Sequence, residues 1–320
     1  MKRILCLAAA FCLTAGFSQA DAFAAPFSYG DIFASVNDGQ VRHYGPDGSL
    51  LETLSTGSGG ITSGIGFDPG GNMYVSNHTS GSITRFSAGE GHDASLFGVN
   101  LKIKKPEGII FDSSGNLWVG SGCCGDIKKL DADGNTTLSL KTGRRADWIQ
   151  LSQDENKIHY SEDVHNGIRT LDIATGEHEA PLSSRYGFAQ FQLLADGGVI
   201  AAHKGTVKRL DSLGKLAASY DVAGVDKWFA LDINTDEESF WAGSYQNDTL
   251  YRFDIATGSV LQTIDTGLGG GHLYGLAVYT GGQPVLASVN AKVPEPATMS
   301  LLAVAAATGL LFRRRRQRNS

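Results

Sequence analysis

Cysteine is scarce in this chain. Only four occur in 320 residues, and two of them, Cys6 and Cys12, sit in the first apolar stretch, which leaves Cys123 and Cys124 as the remaining pair. No CxxC centre, glycine-rich phosphate loop or nucleophile elbow is present, so the usual sequence marks of redox, nucleotide and serine-hydrolase chemistry are missing. Proline is sparse too, at 8, against 41 glycines, a balance that suits tight turns rather than helices. Positive charge is short: 27 basic against 33 acidic residues give a net −6. Seven of the basic residues and two of the acidic ones lie in 1–25 and 294–320, so 26–293 carries a net −11. A balance of that sign disfavours nucleic acid and anionic polymers as partners and tolerates cations and neutral ligands.

The two ends read as export signals. Lys2-Arg3, an apolar run to Phe17 and a small-residue stretch ending Ala24-Ala25 form a secretory signal peptide, expected to span 1–25. At the other end, Val293-Pro294-Glu295-Pro296 precedes an apolar segment, Ala297–Phe312, and the basic cluster Arg313–Arg316 with Arg318. Sixteen residues at the helical rise cover roughly 24 Å, shorter than a full hydrocarbon core. The arginines would stay on the cytoplasmic side and place residues 26–293 outside. This end resembles the PEP-CTERM sorting signal of exported bacterial proteins. The resemblance implies recognition by an exosortase, transient anchoring in the inner membrane by a short transmembrane segment, processing near Pro294, Glu295 and Pro296, and release to the cell surface or beyond.

Between the ends one unit repeats. Pro106–Asn135 reads as three short strands, 108–111, 117–121 and 126–130, joined by Asp/Ser/Gly turns. The last apolar residue of the third strand recurs as Tyr44, Phe86, Leu130, Leu171, Leu210 and Phe253, at spacings of 42, 44, 41, 39 and 43. An all-strand period in the low forties marks a β-propeller, here with six blades; a seventh candidate second strand, 285–289, keeps a seven-bladed ring as the alternative. The chain starts inside a blade at 31–37, so C-terminal strands are expected to close the ring against N-terminal ones. The pattern GIIFDSSGNLWVGS…DIKKLDADG resembles NHL-repeat, streptogramin-lyase and gluconolactonase-like propellers.

In such a meander, loops into strand one and loops after strand two share a face. They gather the binding-rim candidates Glu107, Asp147, His165, His203, Lys227, Tyr245 and His272. His and carboxylate oxygens are ligands for a divalent cation such as Ca, Zn or Mg. Glu107, Asp147 and His272 border the channel and are the first metal candidates, and the resemblance to gluconolactonases and streptogramin lyases implies a metal-centred channel of this kind. Cys123-Cys124, flanked by glycines, either closes a vicinal disulfide or stays as two thiols. Trp118, Trp148, Trp228 and Trp241 fall in strands and are expected in the core. The Asp-rich turns, including DADGN at 131–135, are expected to be turn formers rather than calcium loops. Since no complete catalytic set can be traced, the preferred function is binding of an extracellular polysaccharide or protein. A metal-dependent lactonase or lyase at the channel rim is the alternative.

Overall fold

The computed structural model of the chain describes residues 26–89, 91–98, 101–162 and 165–282, the side chains of 165 and 166 excepted. The segments 1–25 and 283–320, which hold both export signals, Pro294, Glu295, Pro296 and the apolar stretch 297–312, lie outside the described residues.

Runs of four to six apolar and β-branched residues, each ended by an Asp/Gly turn, cannot fold alone. They pair as hairpins and stack their buried faces on the next set. The described residues form six four-stranded antiparallel sheets, each a blade, standing around one axis. The inner strands are Gly275–Val278, Thr62–Phe67, Pro106–Phe111, Trp148–Leu151, Phe191–Leu193 and Trp228–Ile233, for blades one to six. Blades two to six are continuous in sequence. Blade one is composite: Gly275–Val278 pairs with Ile32–Ser35 in the register Ile32↔Val278 and Ser35↔Gly275. The seven-bladed alternative falls here, because Ile32–Ser35 is the second strand of that composite blade and leaves six slots for six strands. The seventh candidate, 285–289, lies outside the described residues.

The core sits between the blades. Trp118, Trp148, Trp228 and Trp241 are all at most 4 % exposed, as expected of core residues. Between blades five and six, Phe240 stacks on Phe253 at 5.3 Å, with Tyr220 and Trp228 edge-on to the pair. Truncating a buried ring of this kind costs about 3–5 kcal/mol. Inner strands approach so closely that a Cβ on Gly108 would lie 2.8 Å from Trp148 Cα, which is why blade three has glycine there. Second strands end in serines that tie neighbouring blades together. Ser76 Oγ donates to the Glu107 carbonyl at 2.6 Å, and Ser161 Oγ to that of Ala189 at 3.0 Å.

One face of the ring carries the Asp-rich turns. There Asp112 Oδ1 accepts from Asn116 N–H at 2.8 Å, and Asp131 Oδ1 from Asn135 N–H at 2.8 Å. Asp112 also takes Trp118 Nε1 and Lys129 Nζ, whereas Asp131 is spent on its own turn, in keeping with the turn reading of DADGN. The opposite face carries the loops into the inner strands and after the second strands.

Candidate functional site at the channel mouth

A cup of about 790 Å³ opens on the loop face. Next to Ala189 of its lining, Gln190 ties inner strands together: its Nε2 donates to Leu276 O at 2.8 Å while its Oε1 accepts from Leu231 N–H at 3.0 Å. One wall is aromatic. Phe229 of the blade-six inner strand lies 6.3 Å from Tyr245, which follows the second strand of that blade. Tyr274, leading into blade one, lies 5.5 Å from Tyr245 at an interplanar angle of 65°. Lys227 is held at the rim in a left-handed conformation (φ 57°), its carbonyl accepting from Tyr245 N–H at 2.9 Å. His203, at the end of the blade-five second strand, also lines the cup, with Tyr186 edge-on at 5.5 Å.

The facing wall is polar. Glu107 heads the inner strand of blade three and is 6 % exposed. Its Oε1 lies 3.2 Å from His78 Nε2 of blade two and 3.8 Å from an Arg145 guanidinium nitrogen. Its Oε2 is buried without a hydrogen-bond partner. Burial, reinforced by the charge of Asp147, pushes the Glu107 carboxyl up to about 8, against the pull of Arg145 and Lys105. Burial also lowers the His78 imidazole, helped by Lys105 and Arg145. Near neutral pH this wall therefore presents a protonated carboxyl beside a neutral imidazole, which can donate and accept hydrogen bonds without net charge.

Gly122 explains how Glu107 is seated. A Cβ there would fall 2.3 Å from Glu107 Oε1, so the loop carrying Cys123 and Cys124 presses its backbone against the carboxylate. The sulfurs of Cys123 and Cys124 are bonded as a vicinal disulfide at this bend. Both residues are exposed on the loop face.

Of the residues singled out from sequence, Glu107, His203, Lys227 and Tyr245 line the cup. Asp147 lies behind it, fully buried, with Arg145 Nε donating to its Oδ1 at 2.9 Å. His272 is drawn elsewhere: its Nδ1 is 2.9 Å from Asp248 Oδ2, and the same carboxylate accepts its backbone N–H. His165 begins the third strand of blade four, its backbone paired with Glu162. Glu107, Asp147 and His272 are thus not gathered into one ligand set, and no group of three or more His, Cys, Asp or Glu among the described residues is placed to hold a metal. The surroundings oppose a cation as well, since the Arg145 guanidinium already lies against both Glu107 and Asp147. The residues at this rim do not fit the metal centre that the sequence resemblance implied. Phe229, Tyr274 and Arg145 were not singled out from sequence.

The fold and cup define a six-bladed propeller with a cavity on its loop face. The sorting signal is the more specific likeness. Residues 292–316 match the PEP-CTERM protein-sorting motif, which implies an exported protein, recognised and processed by an exosortase and directed toward the cell surface or extracellular space. No curated protein matches the sequence. Among solved structures, a chain of a nidogen/laminin complex is similar with a TM-score of 0.63 and 15 % identity, over 78 % of this chain and 97 % of that one. A protein of unknown function from Bacteroides caccae is similar with a TM-score of 0.62 and 12 % identity, over 78 % of this chain and 99 % of that one. At such identities the likeness concerns the fold alone.

Proposed function

We propose that this exported propeller is a binding protein whose channel-mouth cup holds a saccharide unit of an extracellular polysaccharide. The observation that carries this reading is the wall formed by Phe229, Tyr245 and Tyr274 facing an uncharged Glu107–His78 pair. Aromatic faces take the apolar side of a sugar ring, while a carboxyl and an imidazole satisfy its hydroxyls. The cup volume lies within the range of small-molecule sites. Export to the surface would bring the cup to such polymers. Glycan-array binding by the purified protein, followed by calorimetry on the hits, tests it. Tyr245→Ala should weaken binding by roughly tenfold or more, in line with loss of a stacking aromatic. Absence of binding to any glycan rejects the reading.

A second reading rests on the same acid. A carboxyl that stays protonated to about pH 8, 3.2 Å from an imidazole, is poised for general acid catalysis on a lactone or glycosidic oxygen. Turnover of bound glycans or lactones, abolished in Glu107→Gln, would favour it over binding alone.

A further inference from the structure

The net charge of the protein conceals an asymmetry. Residues 102–145, essentially blade three, hold eight of the 20 basic residues of 26–293 but only five of its 31 acidic ones. The topology brings most of these cations to the loop face. Lys102, Lys104 and Lys105 lie in the loop into the inner strand, Lys141 ends the outer strand, and Arg144 and Arg145 follow it. Lys128 joins them from the third strand, its Nζ donating to the Leu101 carbonyl at 2.6 Å. Lys102, Lys104, Lys105 and Arg144 are exposed, and none is in an ion pair among the described residues. The nearby acids are already engaged: Asp126 with Lys141, Asp147 with Arg145, and Glu107 with His78 and Arg145.

Two further observations point to a ligand. A second cavity, of about 500 Å³, is lined by Lys102, Lys104, Lys105, Cys123 and His78, and His78 also lines the cup, so the two spaces adjoin. The charges converge as well. Lys105 and Arg145 both act on His78 and on Glu107, and burial together with Lys141 and Lys102 holds the Lys128 ammonium below its ordinary value.

We propose that the cations of blade three bind the carboxylates of a uronate-bearing glycan, one sugar ring of which occupies the aromatic cup. This rests on the saccharide reading of the cup and names its ligand class. A carboxylate-bearing sugar matches both halves of the surface, a ring for the aromatic wall and an anion for the lysines beside it. Nucleic acid matches less well. The cationic arc is one blade wide on a chain that is otherwise strongly acidic, so a long polyanion would meet repulsion beyond it.

The test compares an oligogalacturonate with its methyl ester, which keeps the rings and removes the charge, using the full chain in mild detergent. The acid should bind at least roughly tenfold more tightly than the ester, and the preference should shrink as salt rises from about 50 to about 300 mM. The triple variant Lys102→Glu, Lys104→Glu, Arg144→Glu changes only exposed side chains and should lose that preference; an unchanged melting temperature verifies its fold. Equal binding of acid and ester by the wild type, lost in Tyr245→Ala, overturns this proposal while leaving the saccharide cup standing. A triple variant that keeps the preference overturns it too. Binding of neither compound removes both readings. Displacement of the oligogalacturonate by single-stranded DNA of equal charge would reassign the arc to nucleic acid.

Discussion

Asp232 of blade six accepts the backbone N–H of Val278 in blade one at 2.8 Å, so a half-buried carboxyl joins the inner strands of these neighbouring blades. Its other oxygen takes Gln192 Nε2 of blade five at 2.7 Å and the N–H of Ile233 at 2.8 Å. Gln192 in turn accepts from Gln150 of blade four at 2.9 Å. Four inner strands are thereby stitched side by side around the axis. Asp232→Ala leaves these donors buried and unpaired, and should cost about 2–4 kcal/mol in chemical denaturation. A loss below about half a kcal/mol would show that the blades hold these inner strands together without the network.

Two acids raised by desolvation give stability an unusual pH dependence. Burial raises Glu107 to about 8 and Asp232 to about 7. Between their unfolded values, near 4, and these folded values, the folded chain keeps protons that the unfolded chain has released. The unfolded state then binds fewer protons, so stability contributed by these groups is full below about pH 4 and falls as pH rises toward 8. Denaturation at pH 5 and pH 8.5 should show Glu107→Gln gaining relative to wild type at the higher pH. An identical difference at both pH values would place Glu107 in the ionised form throughout.

The Gly122 contact predicts a sharp local effect. Gly122→Ala introduces a methyl 2.3 Å from Glu107 Oε1, where the two atoms cannot coexist. The carboxylate must shift out of the His78 contact, and glycan affinity should fall by roughly tenfold with a smaller drop in melting temperature. Unchanged affinity would show that Glu107 does not touch the ligand.

Thiol titration of the processed, denatured protein without reductant should find no free thiol, and two after reduction, since Cys123 and Cys124 are bonded. Two thiols before reduction would exclude the disulfide.

Replacing Pro294, Glu295 and Pro296 by alanine should leave an unprocessed chain in the membrane fraction, read by mass spectrometry and fractionation. The matched sorting motif covers these residues. Normal release of the triple-alanine chain would place the processing determinant elsewhere in the motif.

Much of the fold was written in local pattern. Six recurrences of one strand ending, with Asp/Gly turns behind them, fix blades because pairing and turn chemistry act over a few residues. Blade count needed one non-local fact, that Ile32–Ser35 fills the slot beside Gly275–Val278. The rim was legible only as a list. Glu107, His203, Lys227 and Tyr245 reach the cup because topology alone puts their loops on one face. His272 went astray because the GLGGG stretch folds back on Asp248, whose carboxylate collects the N–H groups of Gly270, His272 and Leu273. No local signal encodes that. Arg145 was missed likewise, since nothing local shows that its guanidinium meets both Glu107 and Asp147. Net charge misled by averaging: a total of −11 says nothing of eight cations gathered on one blade.

The composite blade also decides which way the molecule looks. Gly275–Val278 runs from the loop face to the turn face, and Tyr279 there accepts the N–H of Gly30, so both ends of the propeller leave from the side opposite the cup. The sorting motif at 292–316 follows the strand that ends on that side. The mouth of the cup is thereby left clear of both ends of the described propeller.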